Sequence, residues 1–324
     1  MHTPLRPGLL GILFLALLAI PLRAGDWPQF MRSAQRTGDA ADEQLQLPLA
    51  LVAQVELDDA VLSSPAVVGG RAYVVDQMGT AYCVDPDARR IVWKTSPDGD
   101  NAKGSNTSSP CVFGDRVCYG TTAGKFHILR AKDGSVLKSI DFGWPITASP
   151  TYDDGRIYFQ TVEGVVHCLN AEGESIWRWD HYAQYSDPNE KEFASRWPGS
   201  YNSPHYGGNE VAVRDKRLVT GIGWDHFCLK DEGDKATLVW CNRAALGKDD
   251  GIPLAPAIAG EYVYTAWPGV DAAGSLLRVR LADGAFERKA DQLGRSYWAI
   301  LGTPALRGET VYFGRTLRGV TAYE

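Results

Sequence analysis

Several things are missing from this sequence, and each absence narrows its function. After an apolar run at residues 9–20, no later stretch approaches the ~20 consecutive apolar residues that a membrane-spanning helix needs. No integral membrane segment is therefore expected beyond that run. Basic residues are outnumbered, with 33 Lys and Arg against 39 Asp and Glu, and no basic cluster interrupts the acidic balance. Such a surface repels nucleic acid. The HExxH, GxSxG, phosphate-cradling Gly-Lys and CxxCH signatures are all absent, so the common zinc-protease, hydrolase, nucleotide and haem templates do not apply. Cysteine is sparse, at six residues, with no CxxC and no adjacent Cys-Cys.

What is present begins with a leader of two parts. Residues 1–24 combine Arg6, the apolar run and the small-residue site Leu22-Arg23-Ala24, the pattern of a secretory signal peptide. The first cysteine, Cys83, lies far from the cleavage site, so an exported, periplasmic or secreted protein is expected rather than a lipoprotein. Residues 25–48 form an N-terminal leader, and residues 49–324 a single domain.

That domain is organised by a repeat. Residues 63–94 hold four short apolar runs, at 66–68, 71–75, 80–85 and 91–94, broken by Gly69-Gly70, Met78-Gly79 and Asp85-Pro86-Asp87. Closely spaced runs of this kind predict an antiparallel meander. Five later segments align with it, each with a proline before its first run. The six prolines are Pro65, Pro110, Pro150, Pro204, Pro256 and Pro304. Four strands per repeat of about 40–50 residues predict an all-β fold, a β-propeller with six blades. Residues 49–57 match an unpaired fourth strand, and residues 319–324 a final third strand. Their pairing is expected to close the ring and remove exposed sheet edges.

The order of small residues, glycines and the Trp of the fourth strand (Trp93, Trp177, Trp240) resembles the pyrroloquinoline-quinone-like (PQQ-like) propeller repeat over about residues 50–324. That family includes quinone-dependent dehydrogenases and the propeller lipoprotein of the outer-membrane barrel assembly machinery. The opening Trp27-Pro28-Gln29-Phe30-x-Arg32 is similar to the leader of many exported members. It is expected to pack Trp27 and Phe30 across a propeller face, or else to dock a partner. The fold is what the resemblance specifies, because one fold hosts many activities.

The repeat also sorts side chains. Cys83, Cys168 and Cys228 fall at one small buried position, so packing explains them. His127 and His167 fall where Tyr82 stands, and read as scaffold rather than as a metal pair. Cys111 and Cys118 are the one cross-strand pair placed for a disulfide, but in a hydrogen-bonded register whose Cα separation strains the bridge.

In a four-stranded blade, the second-to-third and fourth-to-first links share one face, here called the top. Five of the ten tryptophans, Trp144, Trp197, Trp224, Trp267 and Trp298, fall in or beside those links. With Arg196, Tyr201, Asp225, His226, Arg243 and Arg295, they form a candidate surface for a ligand or partner, or else plug the channel. The long link at 180–203 is a candidate lid or docking loop, with a short helix predicted at 189–195.

Binding of PQQ is implied by the resemblance and resisted by the residues. Quinone-dependent members hold calcium with oxygen ligands, need a carboxylate base, and in many cases add an adjacent Cys-Cys ring that this chain lacks. Lys248-Asp249-Asp250-Gly251 reads as a turn, and Asp225-His226 is the more attractive acid–base pair. No catalytic or metal-ligating set is assigned and no cofactor is expected. The expected function is non-catalytic binding of an envelope or extracellular protein, or of a glycan, on the top face. The alternatives are a small PQQ- and metal-dependent oxidoreductase, and a carbohydrate-binding or carbohydrate-processing module.

Overall fold

The structure, a computed structural model, describes residues 25–43, 47–184, 210–222, 225–242, 255–267, 275–290, 303–315 and 319–323. The expected signal peptide, the helix at 189–195 and the turn at 248–251 lie outside these residues. Among the described residues, no helix is long and apolar enough to cross a membrane.

Short β-rich runs separated by glycine fold into six antiparallel sheets. Five have four strands in sequential order, and the last has three. The first sheet runs Ala66–Val68, Arg71–Val75, Ala81–Asp85 and Arg90–Thr95, within a residue of the strands expected from the sequence. First and second strands are joined by two-residue turns. Gly69-Gly70, Asp154-Gly155 and Asp215-Lys216 have positive φ at both residues, the conformation whose twist matches the flanking strands. Five blades share a bulge between third and fourth strands, at Cys83/Val84, Ile128/Leu129, Cys168/Leu169, Cys228/Leu229 and Arg278/Val279.

The fourth repeat begins elsewhere than the prolines indicate. Its first strand is Ala212–Arg214, not the residues after Pro204, and Val211 stands where the other repeats have proline. Proline is dispensable there because the repeated requirement is a free backbone N–H two residues later.

That N–H meets the leader. Trp27 and Val67 exchange backbone hydrogen bonds of 2.7 and 2.8 Å, and Val112 N donates to Pro28 O at 2.7 Å. Tyr152 N donates to the Gln29 side chain at 3.0 Å. Val213, Ile258 and Leu306 each donate at 2.8 Å, to the carbonyls of Ala34, Gln35 and Thr37. Residues 27–37 thus visit the innermost strand of all six blades in order. The sequence suggested packing across a face; the leader instead satisfies the inner sheet edges, whose orphan donors would be costly if buried. Arg36, fully buried, anchors it. Its guanidinium donates to Val211 O at 3.1 Å, Phe30 O at 3.1 Å and Ser149 O at 2.7 Å. Desolvation pushes its pKa down to about 10.

Blade junctions use the fourth-strand tryptophans as expected. Trp93, Trp177 and Trp240 donate their indole N–H to Ala131 O at 2.9 Å, Asp231 Oδ1 at 3.2 Å and Leu281 O at 3.0 Å, each in the following blade. The serines before the first strands add a second relay. Ser64 N donates to Ser109 Oγ at 2.9 Å, and Ser109 N to Ser149 Oγ at 3.0 Å.

Ring closure by residues 49–57 is not seen among the described residues. They form no strand with Gly319–Tyr323, and Leu49, Leu51, Val52 and Val320 are exposed. Cys111 and Cys118 face each other as the register required, yet both are free thiols. Cys111 Sγ lies 3.8 Å from Gln29 Oε1 of the leader.

Candidate functional site

On the top face, the link that precedes each of the first four blades places a group against that blade's third strand. Asp58 N donates to Tyr82 Oη at 3.3 Å. Asp98 Oδ1 lies 3.1 Å from His127 Nε2 and 3.3 Å from Lys125 Nζ. The Phe142 ring meets His167 edge-on at 4.6 Å, and the His181 ring stacks on Phe227 at 4.1 Å and 8°. Tyr82, His127, His167 and Phe227 share one register position. The two strand histidines are therefore parts of blade junctions, as the repeat indicated. Burial lowers the pKa of both, against the attraction of Asp98 for His127 and reinforced by Arg178 for His167, which is pushed to about 4.

The junction between the third and fourth blades carries more chemistry. Asp225 opens the third strand of its blade, Asp225–Asp231, and its Oδ2 lies 2.8 Å from His181 Nε2. Cys241 ends the neighbouring strand, Ala236–Cys241, as the register partner of Phe227. One donor atom from each of His181, Asp225 and Cys241 lies within 4.8 Å of the other two. His181 and Asp225 are buried and Cys241 is half-buried.

The sequence paired Asp225 with His226, and the structure separates them. Neighbouring strand residues point to opposite sheet faces, so His226 turns away to meet Trp240 edge-on at 5.5 Å. It is fully enclosed, and desolvation pushes its pKa down to about 3. His181 and Cys241, which complete the cluster, were missed because no local motif joins them to Asp225.

Of the other top-face candidates, Trp144 is 37% exposed, on a link seated against the Gly124 turn, where an added Cβ would lie 3.0 Å from Trp144 N. Trp267 ends the strand Tyr262–Trp267, paired with Ser275. Arg196, Trp197, Tyr201, Trp224, Arg243, Arg295 and Trp298 lie outside the described residues.

Six antiparallel sheets arranged about one leader, with recurrent blade junctions, define a β-propeller. Within that class, residues 50–145 match the family model described as outer membrane protein assembly factor BamB. Among solved structures, quinohemoprotein alcohol dehydrogenase from Comamonas testosteroni aligns at 16% identity and TM-score 0.59, covering 82% of this chain and 49% of that one. Quinohemoprotein alcohol dehydrogenase ADHIIG from Pseudomonas putida HK5 aligns at 19% identity and TM-score 0.59, over 88% and 51%. BamB from Moraxella catarrhalis aligns at 13% identity and TM-score 0.50, over 84% and 85%. The chain therefore spans about half the length of the two dehydrogenases. At these identities the likeness establishes the fold alone. No curated protein matches the sequence.

Proposed function

We propose that this chain is an exported, non-catalytic propeller that binds an envelope or extracellular protein on its top face. The observation that carries this reading is the division of labour across the ring. The leader fills the inner edges, the opposite-face links are tight turns, and the aromatic-rich stretches of the sequence fall in the links assigned to the top. Loops held on a rigid scaffold are where binding surfaces are normally built. Among the described ionisable groups of the top face, Asp98 is engaged in a blade junction with His127 and Lys125. Likeness to BamB over most of both chains is compatible with this role, and the signal-like residues 1–24 support export.

The quinohemoprotein likeness motivates the alternative, a PQQ-dependent oxidoreductase. Calcium beside the quinone takes a shell of oxygen donors. The side chains that converge on this face, His181, Asp225 and Cys241, offer one nitrogen, one oxygen and one sulfur, which does not fit that shell. The test is a titration of the purified protein with PQQ and calcium, followed by absorbance and melting temperature. Neither is expected to move; a saturable shift in both would overturn the proposal in favour of the oxidoreductase.

A further inference from the structure

We propose that His181, Asp225 and Cys241 form a binding site for a transition-metal ion of the zinc class. The site does not depend on the partner-binding reading. Three different segments supply its ligands: the link after the strand Ser175–Asp180, the start of Asp225–Asp231 and the end of Ala236–Cys241. Phe227 holds two of them in place, stacking under the His181 ring and pairing in register with Cys241. The donor atoms already lie within 4.8 Å of one another.

The chemistry of the set selects the ion. Imidazole and thiolate are ligands for zinc, cobalt and copper, whereas calcium and magnesium take oxygen. Among the described residues three side chains supply ligands, one fewer than a tetrahedral ion takes, and Cys241 is half-buried.

Entry of the ion is an exchange for a proton. The hydrogen bond between His181 Nε2 and Asp225 Oδ2, now 2.8 Å apart, gives way. The imidazole binds as the neutral ring with its one proton on the nitrogen that does not bind the ion, and the Cys241 thiol proton leaves to solvent. Metal–nitrogen, metal–oxygen and metal–sulfur bonds form in their place. Ligands of a tetrahedral zinc at ~2.0–2.3 Å stand about 3.3 Å or more apart. The His181–Asp225 pair opens slightly to admit the ion, a movement within reach of two side chains.

The experiment uses the full mature chain, stripped with a chelator and titrated with cobalt(II) as a spectroscopic stand-in for zinc. One equivalent is expected to produce a thiolate-to-cobalt charge-transfer band, displaced by zinc. Affinity should fall at least about tenfold in Cys241→Ser and His181→Gln, because each removes one of the three described ligands. The buried-cysteine variant Cys168→Ala should keep the band. Absence of the band in the wild type, or its persistence in Cys241→Ser, overturns the proposal. A second readout needs no variant: zinc should protect Cys241 from alkylation, as read by mass spectrometry. Alkylation of Cys241 at the same rate with and without zinc overturns it equally.

Discussion

Trp177 donates its indole N–H to Oδ1 of Asp231 at 3.2 Å, across the junction between the third and fourth blades. The same buried carboxylate accepts from Tyr158 Oη at 2.8 Å and from Arg156 Nη1 at 2.7 Å. It stands where Ala131 offers only a backbone carbonyl to Trp93 in the first junction. Asp231→Ala removes the acceptor of these three donors and of Gly233 N, and should cost about 3 kcal/mol in denaturant unfolding. Trp177→Phe keeps most of the packing and should cost ~1 kcal/mol for the lost hydrogen bond. In the double variant the Trp177 effect should shrink, since its acceptor is already gone. Full additivity would show that Trp177 acts by packing alone.

The leader makes a sharper prediction through Arg36. Arg36→Met leaves the carbonyls of Phe30, Ser149 and Val211 without this donor, and should cost ~3 kcal/mol or more. Arg36→Lys keeps the charge but loses the planar fork, so its loss should be intermediate. Equilibrium unfolding measures both. Wild-type stability in either variant would mean that the leader is an accessory rather than part of the core.

Two buried histidines set a pH window. His226 and His167 are held neutral by burial, at about 3 and about 4, while an unfolded histidine titrates near ~6.5. Above that value neither state binds the proton and stability is unaffected. Below it only the unfolded state does, so stability falls by roughly 1.4 kcal/mol per pH unit for each histidine. The loss continues down to the folded-state values. His226→Phe should flatten the slope measured between pH 6.5 and 4.5. An unchanged slope would place the titration elsewhere.

Two glycines separate strain from collision. Gly155 and Gly134 have φ of +79° and +72°, but a Cβ on Gly155 meets nothing within 4 Å, whereas one on Gly134 would lie 2.5 Å from Trp93 Cε3. Gly155→Ala should cost only the left-handed backbone penalty, roughly 1–2 kcal/mol. Gly134→Ala adds overpacking at the first blade junction, a further ~1–3 kcal/mol. Equal losses in thermal unfolding would argue that the Trp93 junction is loose.

Much of the fold was legible because strand, turn and junction each leave a local mark. Glycine turns, apolar runs and the Trp of the fourth strand recur at fixed offsets. The fourth blade was misplaced because Pro204 copies the mark in a long link, while Val211 fills the true position without one. The path of the leader had no mark at all, since backbone carbonyls of almost any sequence can accept from Val112 or Ile258. The same reason hid the cluster at the third junction. His181, Asp225 and Cys241 come from three segments, and it takes the folded junction, with His181 stacked on Phe227 and bonded to Asp225, to bring them together. The pattern at residues 49–57 reads clearly as strand-like, yet alternation alone does not choose a partner, and among the described residues these form no strand pair.

The central functional claim is that binding belongs to the top face. It is tested most directly by capturing partners from envelope extract on three immobilised proteins: the wild type, the top-face variant Trp197→Ala/Trp224→Ala, and the opposite-face variant Glu309→Lys. Glu309 is exposed in a tight turn of the last blade. The account predicts a protein retained by the wild type and by Glu309→Lys and lost from the tryptophan variant. Retention by the tryptophan variant, or loss from Glu309→Lys alone, would contradict it.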